Sequence, residues 1–109
     1  MTLNRFSARP NDKGTLLTWE TQSEHGSAGF TLWQAAPTQK NCQDYLNYKN
    51  IQQLTSKPIP AQGNGGGAYS YQLAMTEANV CYGLEEISFD GQSQFYVIGP
   101  GISTWQQLQ

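Results

Sequence analysis

Thr15-Leu16-Leu17-Thr18-Trp19-Glu20-Thr21 and, further on, Gly29-Phe30-Thr31-Leu32-Trp33 are the stretches whose reading decides the fold. In the first, Leu17 and Trp19 alternate with Thr18 and Glu20. A strand turns successive side chains to opposite faces, so this period buries one pair and shows the other to water. In the second, Phe30 and Leu32 alternate with Thr31 and Trp33 in the same way. Two such strands, each with one apolar face, have to be covered by a second layer of extended chain.

The rest of the chain extends the pattern. Leu3, Phe6 and Ala8 form a loosely alternating opening segment, closed by the turn formers Arg9-Pro10-Asn11-Asp12-Lys13-Gly14. Residues 37–50 are the least regular; Tyr45, Tyr48 and Ile51 sit at a spacing that predicts a turn of helix before a short strand near Lys49 to Leu54. Pro58, Pro60 and the run Gly63-Asn64-Gly65-Gly66-Gly67 predict a flexible connection that no strand crosses. Tyr69, Tyr71 and Leu73 alternate cleanly, and so do Val80, Tyr82 and Leu84. Ile87 and Phe89 have the opposite parity to Leu84, which predicts a bulge near Glu85-Glu86. Asp90-Gly91 is a hairpin signal between that strand and Gln94 to Ile98. Gly99-Pro100-Gly101 ends the regular pattern and leaves Ile102 to Gln109 as a tail. The sum is an all-β fold, a seven-stranded antiparallel β-sandwich over residues 1–100 followed by a linker or tail over 101–109.

The 109 residues suffice for one domain, and only 13% of them are charged. Polarity rests instead on seven Asn and thirteen Gln. A net charge of -2 and a pI near 5.1 give no electrostatic footprint for nucleic acid. All six basic residues lie within positions 1–57, and residues 58–109 hold four acids and no base. No apolar run approaches the roughly 20 residues of a membrane-crossing helix, so no membrane insertion is expected. One histidine and no Cys-x-x-Cys leave a four-ligand zinc site short of parts. Neither metal nor cofactor is expected.

Leu17-Thr18-Trp19-Glu20-Thr21, Ser23-Glu24 and Ala28-Gly29-Phe30-Thr31-Leu32-Trp33 together resemble the opening of bacterial fibronectin type III-like domains, modules of large secreted and surface proteins. The likeness continues through Ile59-Pro60-Ala61-Gln62-Gly63, Tyr69-Ser70-Tyr71, and Tyr82-Gly83-Leu84-Glu85-Glu86-Ile87 with Asp90-Gly91. Gln34 and Val80 stand where the family commonly has Arg and Tyr. The resemblance implies strands A, B and E facing C′, C, F and G. On that map strand C is Gly29 to Gln34 and strand F runs from Val80 to about Phe89, adjacent and antiparallel. The end of C then lies near the start of F, which implies a disulfide between Cys42 and Cys81. It also implies an extracellular or cell-surface location and a non-catalytic structural or protein-interaction role, the partner being another protein or neighbouring domains of the same chain.

Catalytic residues are not expected. His25 has Ser23, Glu24 and Ser27 beside it, but neighbours in one loop seldom meet as a triad, and an exposed loop histidine is the plainer reading. Glu85 and Glu86 point to opposite faces of an extended chain and form no acid/base pair. Gly63-Asn64-Gly65-Gly66 is similar to the Gly-x-Gly-Gly loop of chagasin-like cysteine-protease inhibitors, whose companion loops are missing here. Trp33, Tyr45, Tyr48 and Tyr96 are candidate ligand contacts at loops, edges or the outer face of strand C. Such aromatics beside abundant amides have the chemistry to stack on a polysaccharide. The plainer role for Trp33 is packing over Gly83 on the neighbouring strand or against the C–C′ segment. A self-assembling surface subunit, pairing edge strands between copies, is a further alternative.

Overall fold

A computed structural model describes residues 1–35, 42, 51–74, 80–99, 102 and 104–108. The strands are β1 (Thr2–Asn11), β2 (Gly14–Ser23), β3 (Ser27–Gln34), β4 (Gln52–Gln53), β5 (Ile59–Pro60), β6 (Gly67–Leu73), β7 (Tyr82–Ser88), β8 (Ser93–Ile98) and β9 (Gln106–Leu108). They form two antiparallel sheets, β1-β2-β6 and β4-β3-β7-β8-β9, with β5 also paired to β3. The fold is a β-sandwich. The alternations at Leu17/Trp19 and Phe30/Leu32 become its facing layers, all four side chains being buried.

The seam between the sheets is filled by Leu3, Phe6, Leu17, Trp19, Phe30, Leu32, Tyr69, Leu84, Tyr96 and their neighbours. Trp19 sits directly across the β2–β6 ladder from Tyr69, and the two rings stack at 5.2 Å with 7° between planes. Phe30 approaches Trp19 from the opposite sheet at 5.9 Å, edge to face. The indole Nε1 of Trp19 has no hydrogen-bond partner among the described residues. Leaving it so costs about 1–3 kcal/mol, which contacts on two sides of the ring, at about 0.5–1.5 kcal/mol each, offset.

Leu3 and Phe6 have opposite parity, yet both are buried. The register explains it: Leu3 pairs Thr21 and Arg5 pairs Glu20, so Asn4 is an extra residue that turns the strand over. The bulge expected at Glu85-Glu86 is absent. β7 runs in unbroken register against β8, and against β3 the shift lies between Ser27 and Gly29. Parity therefore continues through Leu84 to Glu86, which points inward and is buried, while Ile87 turns outward half-buried.

Two further expectations change. The Pro58–Gly67 connection does carry a strand, because Ile59 and Pro60 pair Phe30 and Gly29 at the edge of β3, where a proline without a donor is tolerated. A Cβ on Gly29 would stand 2.8 Å from the carbonyl oxygen of Ile59, so this crossing needs a glycine. The segment read as a tail contains β9, which pairs Phe95, Tyr96 and Val97 of β8. The short strand expected near Lys49 to Leu54 is β4. The expected helical turn over positions 45–50 lies outside the described residues.

Candidate functional site

The sheet containing β3, β7 and β8 has chemistry on both faces. On its outer face Trp33 pairs Gly83 across the ladder, and Gly83 pairs Val97 beyond it. Glycine leaves room on that line, and Val97 is fully buried although it points away from the main seam. With Ala35, Cys42 and Cys81 it forms a second apolar cluster, around which Trp33, Ile51, Ile102 and Leu108 pack. The disulfide Cys42–Cys81 closes this cluster, with 5.6 Å between Cα atoms. Such a bond belongs to an oxidising environment.

Trp33 is half-buried, and its Nε1 donates to Oε1 of Glu85 at 2.9 Å. Oε2 of Glu85 accepts from Oγ of Ser93 at 2.7 Å, so this carboxylate is a strut joining three strands. Tyr96, expected at a loop or edge, is only 3% exposed and lies in the main core. Its ring meets Trp105 at 5.6 Å, edge to face. Both parities of Phe95-Tyr96-Val97-Ile98 are apolar, so alternation alone does not choose between them; the pairing of Tyr96 with inward-facing Leu84 does. Burial raises the Tyr96 phenol above its ordinary pKa, and the charge of Glu86 adds to the shift. Tyr45 and Tyr48 lie outside the described residues.

The second polar centre is Glu24, in the β2–β3 turn, whose role as an acceptor the sequence alone does not show. It is 1% exposed, yet four donors converge on it. Oε2 accepts from Thr21 Oγ1 at 2.5 Å and from the Tyr69 hydroxyl at 2.5 Å. Oε1 accepts from the backbone N–H of Gln62 at 2.8 Å and of Gly63 at 3.1 Å. Burial pushes the carboxyl up, but the bonds from Thr21, Tyr69, Gly63 and Gln62 outweigh it and hold the pKa below the usual 4.5. Burial and the Glu24 hydrogen bond raise Tyr69 far above its usual value, so the shared proton stays on the phenol. The glycine run is tied to the sheet by this carboxylate. Gly66, at φ +88°, lies so close to β2 that a Cβ would meet the carbonyl oxygen of Gln22 at 2.8 Å. The sequence signal was Ser23-Glu24 ahead of a tight turn, with hydroxyls at Thr21 and Tyr69.

His25 is exposed in the turn beside Glu24. Glu85 and Glu86 diverge to opposite faces, Glu85 to Trp33 and Ser93, Glu86 inward to Ser27 Oγ at 2.6 Å. Among the described residues no three His, Cys, Asp or Glu side chains converge as a metal site. Compared with known proteins, the chain matches no family model, no curated protein and no solved structure.

Proposed function

We propose that the chain is a fibronectin type III-like module of a larger bacterial extracellular or surface protein, with a structural or protein-interaction role and no catalysis of its own. The observation that carries this reading is the strand order. With β1, β2 and β6 as A, B and E, and β4, β3, β7 and β8 as C′, C, F and G, the sheets follow the order implied by the resemblance. Two of the carboxylates support it from the chemical side. Glu24 and Glu85 are consumed by hydrogen bonds that fasten strands and turns, whereas a general acid or base needs an oxygen free to meet substrate. The disulfide favours an oxidising location, and no helix among the described residues is long and apolar enough to cross a membrane.

The test is to locate the native protein with an antibody raised against this domain. The reading expects a species well above 12.1 kDa in the medium or exposed to added protease on intact cells. A 12.1 kDa intracellular species with two reactive thiols would end it.

A further inference from the structure

At one end of the sandwich the β2–β3 turn meets the β7–β8 hairpin. The N–H of Phe89 donates to the carbonyl of Gly26 at 3.1 Å and holds the two turns side by side. Next to this tie lies a depression of about 350 Å³ whose lining includes His25, Glu86, Phe89 and Asp90. Glu86 is 3% exposed. Its Oε2 is taken by Ser27, while Oε1 has no hydrogen bond or ion pair among the described residues and yet is not sealed from solvent. Glu86 is among the residues that line the depression.

A carboxylate so far removed from water is ordinarily paired or fully hydrogen-bonded. Glu24 meets that rule with four donors on two oxygens. Glu86 has one donor on one oxygen. The lining holds no lysine or arginine, its other ionisable groups being His25 and the amino terminus at Met1. Asp90 adds a second acid at the rim, and the half of the chain that builds β7 and β8 contains no basic residue. Phe89 is 81% exposed, the only large hydrophobic side chain so exposed among the described residues. An aromatic ring beside a carboxylate presents an electron-rich face to a cation.

We propose that this depression receives one basic side chain, lysine or arginine, presented by a protein partner, with Glu86 Oε1 as the acceptor at the floor and the Phe89 ring over the aliphatic stem. The proposal rests on the reading of the chain as an interaction module and names the chemistry of what it grips.

The test uses the whole 15N-labelled chain titrated with N-acetyl-lysine methylamide, its arginine counterpart and, as the uncharged control, its norleucine counterpart. A basic probe should give saturable shifts at the amides of His25 to Ser27 and Glu86 to Asp90, and the norleucine probe none. Glu86→Gln should weaken the basic probe by at least about tenfold. Phe89→Ser, at a position in solvent, should weaken it by a smaller factor without changing the fold. Absence of saturable shifts with both basic probes, equal shifts with norleucine, or unchanged affinity in Glu86→Gln overturns the proposal. If Glu86→Gln does not fold, Phe89→Ser and added salt decide, and affinity indifferent to both overturns it. None of these failures touches the module reading, which the size and location of the native protein decide separately.

Discussion

The hydroxyl of Tyr69 donates a 2.5 Å hydrogen bond to Oε2 of Glu24 across 45 positions of the chain. The bond joins β6 to the β2–β3 turn, and the same carboxylate fastens the start of the glycine-rich loop through Gln62 and Gly63. One acidic side chain thus adds side-chain ties between β6, the β2–β3 turn and the glycine-rich loop.

A pH dependence follows. The folded pKa of Glu24 lies below its ordinary value of 4.5, so the carboxylate adds stability that is fully present above that unfolded value. That stability is lost as pH falls through the lowered folded value. Urea unfolding is expected to show the protein weaker at pH 3 than at pH 7. Glu24→Gln should lower stability at pH 7 by about 2–4 kcal/mol, because donors now face an amide that satisfies fewer of them. It should also shrink the difference between the two pH values. A variant with the full pH difference intact would assign it to other groups.

Gly99 and Gly91 both have positive φ, at +138° and +87°, but in different surroundings. A Cβ on Gly99 would lie 2.6 Å from Sγ of Cys42 and 2.9 Å from the carbonyl oxygen of Val80, whereas one on Gly91 meets nothing within 4 Å. Gly91→Ala is expected to cost only the backbone strain, about 1–2 kcal/mol. Gly99→Ala should cost clearly more, as read from paired thermal melts.

The disulfide closes a loop with a sequence separation of 39 between its cysteines. In the chain-entropy account a crosslink of that span contributes about 4 kcal/mol. Replacing Cys42 and Cys81 together by alanine should lower stability by about 2–4 kcal/mol in denaturant titrations. The unreduced wild type should take up no alkylating reagent.

Tyr96 provides a direct comparison between core and surface aromatics. Tyr96→Ala should destabilise by about 3–5 kcal/mol, since it empties a site in the main seam. Phe89→Ala, in solvent, should stay within about 0.5 kcal/mol of the wild type. Equal effects at the two positions would contradict the burial of Tyr96.

The strands that decide the fold were legible because Leu17/Trp19 and Phe30/Leu32 alternate strictly, and because Asp90-Gly91 fixes the last hairpin. What alternation does not encode was lost. Glu86 occupies an inward position where an apolar residue was expected, and reading Ile87 as inward produced the bulge that is absent. β5 and β9 are two and three residues long, too short to carry a period, and exist only because β3 and β8 offer edges. The second apolar cluster was hidden because it covers the outer face of a sheet, where Val97 reads as a solvent position until Ala35 and the disulfide are placed over it. At the candidate site, Trp33 over Gly83 was readable from cross-strand register, while the role of Glu24 depends on donors at Gln62, Gly63 and Tyr69 that only the fold assembles.

The central claim is that the inward faces of β2, β3 and β7 meet in a single dry seam, and residue-resolved amide hydrogen exchange of the oxidised protein tests it most directly. The slowest amides should be those of Leu17, Trp19, Phe30, Leu32 and Leu84, exchanging together as one unit at the free energy of global unfolding. Fast exchange at Trp19, or two sheets that open at unrelated rates, would contradict it.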